Sequence, residues 1–217
     1  FNDMDFEAGF GAFAYELNIR NEVEGIGSLQ PNGDFVFDFG KEFGSPHRLQ
    51  SFLNMGPLSN YPDDPMEIMP SLGHNSTLSI FGQEAGHRFL VFTSFLDPIS
   101  ESVSTDLLGR DAAHWSFFFN SDASVLEGNR ITDHGNTSPR FETTAAVEKF
   151  SDFDQYLMGL REVDDVTPSF YVEDPSDSRL HSSPPEIGVT FDGTRREVDV
   201  GMIISAEGLR RPQRNVA

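Results

Sequence analysis

Gln83, Glu84 and His87 stand within one short run, GQEAGHRF. On a helix, residues three and four apart share a face, so the three side chains would project together. The chemistry such a trio supports is hydrolysis by activated water. Two donors at i and i+4 on a helix have the spacing to hold one metal ion. A carboxylate directly after the first donor lies beside the ion's water and can take its proton. His87 supplies the second donor and Glu84 the base. The first donor position holds Gln83, whose amide oxygen is a neutral, harder ligand than imidazole and binds zinc weakly. It either ligates weakly or holds a water beside the ion.

A catalytic zinc takes three protein ligands and keeps one position open. The third must come from elsewhere, because the segment after His87 reads RFLVFTSF. The best match is His114 in RDAAHW, 27 residues further on, with Asp111 near enough in sequence to orient its imidazole. Glu127 in SVLEGN is the carboxylate alternative. His74 precedes the helix by too much to reach His87, and His134 falls in a turn. Tyr156, in YLMG beside Met158, or an Arg is the candidate to stabilise an oxyanion.

Taken together, GQEAGHRF, LLGRDAAHWSFF, SVLEGN and FDQYLMGL resemble a set of secreted bacterial proteins related to zincin metallopeptidases. Members carry H/Q-E-x-x-H-R-W/F and a later His-Trp, and the resemblance spans residues 49–160. It implies a zincin-like fold and a zinc-dependent endopeptidase acting on polypeptides. Glu84 would be the base, and His87 and His114 would be Zn²⁺ ligands. Gln83 is the departure from the metallopeptidase pattern, and it weakens the implied metal affinity.

The chain has 217 residues, 37% of them hydrophobic, with 21 Phe and 19 Gly. Counting Gly brings the apolar share close to the roughly 45–50% of an average domain, so an aromatic core is expected. A net charge of −20 argues against nucleic acid and anionic membrane surfaces as partners. It suits a secreted, extracellular protein and allows structural Ca²⁺, for example at Asp63-Asp64. Cysteine is absent, which excludes disulfides and thiolate metal sites. No apolar run is long enough to span a membrane. The first residues, Phe-Asn-Asp, carry no signal-peptide pattern, so the chain is expected to start after processing.

The elements that must position these residues are read as one α+β domain, residues 1–217, part of a larger secreted chain. A mixed sheet is expected to pack on a long buried active-site helix over residues 76–96, capped by Asn75 or Ser76 and ended by Asp97-Pro98. Residues 1–70 read as strands and a loop, with a hairpin about residues 31–34. Residues 71–160 hold the metal-site core. Within it, 114–119, 124–127 and 140–146 read as strands. Residues 151–160 read as a helix capped by Ser151 with Asp154 in a capping box. Residues 161–217 read as strands, with a hairpin about Asp192-Gly193 and a further strand at 202–205.

Blander readings stand beside these. Glu84 and Arg88, at i and i+4, make an ordinary helix ion pair. His114 beside Trp115 reads equally as a core histidine with a satisfied hydrogen bond. Two rival functions follow: a catalytically degenerate zincin-like module that binds or builds, suggested by Gln83, and a glycan-binding domain, for which one Trp and four Tyr are few.

Overall fold

The computed structural model describes residues 13–27 and 36–212. Among these the architecture is α+β, built from short strands and three helices. Strands β1 (Tyr15–Asn18) and β4 (Ser51–Asn54) pair, as do β2 (Arg20–Asn21) and β3 (Phe37–Asp38). Strands β5 (Phe95–Asp97) and β6 (Ser102–Ser104) form a hairpin. The largest sheet has three strands in the order β10-β8-β7, from Thr190–Phe191, Phe141–Ala146 and Asn129–Asp133. Strand β9 (Ser169–Glu173) pairs with β11 (Thr194–Val198). All these pairings are antiparallel. The expected mixed sheet is therefore replaced by several small antiparallel ones.

The expected long helix is also corrected. Helix α1 covers Thr77–Gly86 and closes at His87, whose backbone N–H still reaches Gln83 O. Its start follows the sequence signal: Ser76 and Ser79 cap one another reciprocally. It stops because the following run, Leu90 to Phe95, is rich in aromatic and β-branched residues and is buried throughout. Leu90, Val91 and Phe95 have no exposed surface, so no polar helix face is available to turn outward. Val91 N–H instead bonds Ala113 O, tying this run to the segment that carries His114. Gly86 lets the end of α1 approach closely, since a Cβ there would meet Leu126 and Phe150 at 3.1–3.3 Å.

Residues 114–119 are not a strand. All six are buried, so no inward-outward alternation exists, and they form only isolated bridges, Leu108 with Trp115 and Phe119 with Tyr171. Residues 124–127 likewise form a buried turn, closed by Gly128 N–H to Ser124 O. The two flanks of Asp192-Gly193 join different sheets, β10 to β8 and β11 to β9. Asp192 is held by Ser138 Oγ–H and Arg140 N–H instead of closing a hairpin. Residues 202–205 lie inside helix α3 (Val200–Glu207), because Asp199 caps it by accepting Met202 N–H, and Val200 and Ile203 place their buried side chains at helical spacing. The hairpin about residues 31–34 lies mostly outside the described residues, and β3 pairs with β2.

Helix α2 (Asp152–Met158) forms as its sequence signals. Ser151 and Asp154 make a capping box, and Gly159 ends the helix in the left-handed conformation. The main hydrophobic core joins Leu90, Trp115, Leu126, Phe153, Leu157 and Ile203. A second, aromatic cluster joins Phe117, Phe118, Phe141, Phe170 and Phe191. A third places Ile80 of α1 against Ala14 and Met69. No helix among the described residues is long and apolar enough to cross a membrane.

Gly159 has φ of 74° and its Cα faces the buried Arg210 guanidinium, which an added methyl would strike. Gly188 has φ of 85° but open space around it. Gly188→Ala is expected to cost about 1 kcal/mol from backbone strain alone. Gly159→Ala should cost clearly more, read as the shift in urea midpoint at constant m-value; equal shifts would contradict the packing described.

Candidate active site

The last turn of α1 buries polar side chains. Gln83 and Glu84 are 8% and 6% exposed, and they share this turn with His87. His87, at the helix end, keeps helical dihedrals (φ −57°, ψ −16°), so it stays one turn beyond Gln83 on the same face. His114 comes to them from the irregular segment 114–119. Its ring lies 4.8 Å from that of His87, edge to face, and its Nε2 lies 3.3 Å from Gln83 Nε2. Three of the residues singled out by spacing thus converge with Glu84 on one cavity of about 320 Å³.

Both imidazoles are oriented by backbone carbonyls. His87 Nδ1 is 3.1 Å from Leu90 O, and His114 Nδ1 is 2.9 Å from Arg110 O. A carbonyl only accepts, so each Nδ1 carries the proton and each Nε2 presents a lone pair. This is how metal-binding histidines are usually held. Asp111 does not orient His114; it pairs with Arg110. Burial pushes the His87 imidazole down to about 3, helped by the neighbouring His114, and burial also lowers His114. Both stay neutral at ordinary pH, as donors must.

Among the described residues, no three histidine, cysteine or carboxylate side chains are grouped to hold an ion. The nearest approach to a donor set is His87, His114 and the Gln83 amide, whose oxygen would take the place of its nitrogen on a half-turn of the side chain. Two imidazoles and an amide make a weaker set than three imidazoles. Glu127, the carboxylate alternative, is engaged by Arg110 through Nε at 3.0 Å and Nη2 at 2.6 Å. The same Arg110 Nη2 lies 3.0 Å from His114 Nε2 and donates to its lone pair. Arg110, Gln83 and Glu84 also border a second cavity of about 440 Å³, where Glu127 and His74 lie.

Glu84 is not paired with Arg88, whose guanidinium bonds Gln50 and Asn21. Burial pushes the Glu84 carboxyl up to about 7, opposed by the charge of Arg110. The backbone N–H of Glu16 in β1 lies on the side of this carboxyl and also lowers its pKa. Glu16 borders the same cavity and is pushed up to about 7, again chiefly by burial.

Tyr156 is not brought to this cluster. It is 2% exposed within the main core, its hydroxyl accepts Arg210 N–H, and it borders neither cavity. Its hydroxyl does not face Gln83, Glu84, His87 or His114. Met158 packs against the same core. His134 pairs with Glu142 at the surface, and Asp64 accepts Met66 N–H within its turn.

Glu16 and Arg110 are the residues that sequence reasoning missed. Arg110 stands four residues before His114 in a run already marked for chemistry, which was a usable signal. Nothing in the unperiodic run around Glu16 points to Glu84, because that contact is made only by the tertiary fold. No protein-family model, no curated protein and no solved structure matches this chain.

The two carboxylates and His87 affect stability with opposite signs. Glu16 and Glu84 keep their protons to about pH 7 when folded, against 4.5 ordinarily. That contribution is fully present below pH 4.5 and is lost as pH rises through 7. His87, held near 3 against 6.5, contributes stability above pH 6.5 that is lost as pH falls toward 3. Urea titrations of Glu16→Gln should therefore show the wild-type decline between pH 4.5 and 7.5 reduced by about 1–3 kcal/mol. A decline equal to wild type would contradict the burial of this carboxyl.

Proposed function

We propose that this chain is a zinc-dependent endopeptidase domain of the zincin kind, with α1 as its active-site helix. The observation that carries this reading is the convergence of two imidazoles, both with Nδ1 tied to a carbonyl, with Gln83 and Glu84 around one cavity. His87, His114 and Gln83 would hold the ion. Zinc, when bound, supplies a Lewis acid that lowers the pKa of its water.

The chain's own groups do the rest. Glu84, buried and poised near neutrality, takes a proton from the attacking water and returns it to the leaving amine. The neutral imidazoles stay available as donors because burial disfavours their protonation. The Arg110 guanidinium, beside His114 and Glu84, is the cation available to an oxyanion, in place of the Tyr156 hydroxyl. The substrate class is polypeptide, and the acidic, cysteine-free composition fits an extracellular setting.

A second reading has its own support. Arg110 donates to the His114 lone pair, and Gln83 stands where a stronger ligand would serve. Both favour a catalytically degenerate zincin-like domain kept for binding or structure.

Zinc content and casein cleavage separate the two. The peptidase reading expects close to one equivalent of zinc after mild purification. It also expects Glu84→Gln to abolish cleavage, by at least about 100-fold, while zinc is retained. A wild-type chain with neither zinc nor activity, in which Gln83→His creates tight zinc binding, would establish the degenerate reading instead.

A further inference from the structure

Asp154 has no exposed surface. A capping box asks only that its side chain accept Ser151 N–H, which a carboxylate at the surface does equally well. This one does more. Oδ1 accepts the indole N–H of Trp115 at 2.7 Å, while Oδ2 accepts the Ser124 hydroxyl at 2.6 Å together with Ser151 N–H at 2.7 Å. These donors are neutral, and burial pushes the carboxyl up to about 6 in spite of them. Keeping a carboxylate out of water on neutral donors alone is costly. A helix cap does not require it.

What the carboxylate joins is informative. Trp115 follows His114 directly, and its ring is clamped in the core against Phe119 at 4.9 Å. Holding the indole fixes the backbone from which His114 projects. That backbone is also bonded from both sides, His114 O by Gly109 N–H and Leu126 O by Trp115 N–H. The second route runs through Ser124, which accepts Leu126 N–H and closes the turn leading into Glu127. Glu127 grips Arg110, and Arg110 touches the His114 ring at both nitrogens, by its carbonyl at Nδ1 and its guanidinium at Nε2. Both routes from one carboxylate end on the same imidazole.

We propose that Asp154 is a positioning residue for His114, setting the ring through Trp115 on one side and through Ser124, Glu127 and Arg110 on the other. The proposal rests on the reading of His114 as a working donor, but its first test needs neither metal nor turnover. In ¹⁵N–¹H spectra of the protein as purified, the Nδ1–H resonances of His87 and His114 report the two carbonyl hydrogen bonds separately. In Asp154→Asn and in Trp115→Phe, the His114 resonance should be lost to exchange while that of His87 persists. Trp115→Phe keeps an aromatic ring in the core and decides the matter if Asp154→Asn does not fold. An unchanged His114 resonance in a folded Trp115→Phe, or loss of both resonances together, would overturn the proposal, since a merely structural residue does not select one imidazole.

Zinc titration gives the second readout. Affinity should fall about 10- to 100-fold in Trp115→Phe. Should the wild type bind no zinc, the metallopeptidase reading fails, and the imidazole spectra still decide the role of Asp154.

Discussion

Polar groups held out of water must each find a partner, and most of what is distinctive in this fold follows from meeting that requirement at the end of α1. Gln83 and Glu84 are buried there beside the half-buried His87, in a helix turn that a hydrophobic core would ordinarily fill with Leu or Val. Each meets a different part of the fold. Glu84 lies toward the backbone N–H of Glu16 in β1, His87 reaches the carbonyl of Leu90, and Gln83 meets His114. If any of these elements moved away, a buried group would be left unpaired, at a cost of about 1–3 kcal/mol or more if charged. The neighbouring strand, the segment after the helix and the aromatic segment around His114 are thereby tied to one another through side chains more than through sheet hydrogen bonds.

That arrangement explains why so central a region has so little regular structure. Residues 89–95 and 114–119 are buried in full or nearly so and are joined by only a few backbone bonds. Their positions are set by packing of large side chains and by two buried polar anchors. One is the site itself. The other is Asp154, which holds Trp115 and the turn at Ser124 to the start of α2. Helix α3 closes the far side, packing on β5 and bonding Ser94 through Glu207.

Legibility in the sequence followed the range of the interactions. Helix α2 is legible to within two residues at each end because Ser151 and Asp154 are local signals. Strands β8 and β9 were readable from their β-branched and aromatic content. The end of α1 is not, since the apolar run after Gly86 has no period, and only its enclosure by the rest of the fold decides that it leaves the helix as a turn and irregular chain. Residues 202–205 are helical although Asp192-Gly193 imitates a hairpin turn, because the cap that decides the matter is Asp199, seven residues further on. In the site, the spacing of Gln83, Glu84 and His87 and the His-Trp pair at 114–115 carried real information. Tyr156 shows the limit of such reasoning: a residue type suited to catalysis was chosen by analogy, and its hydroxyl proves to serve the core. Glu16 and Arg110 reach the site through contacts that no local pattern encodes.

The proposed activity requires Gln83, His87 and His114 to act together as a donor set. X-ray absorption at the zinc edge, on protein carrying one equivalent of zinc, tests this most directly. The account predicts scattering from two imidazoles at about 2.0–2.1 Å with the remaining positions filled by oxygen. A spectrum with oxygen neighbours alone, or with a single imidazole, would contradict it.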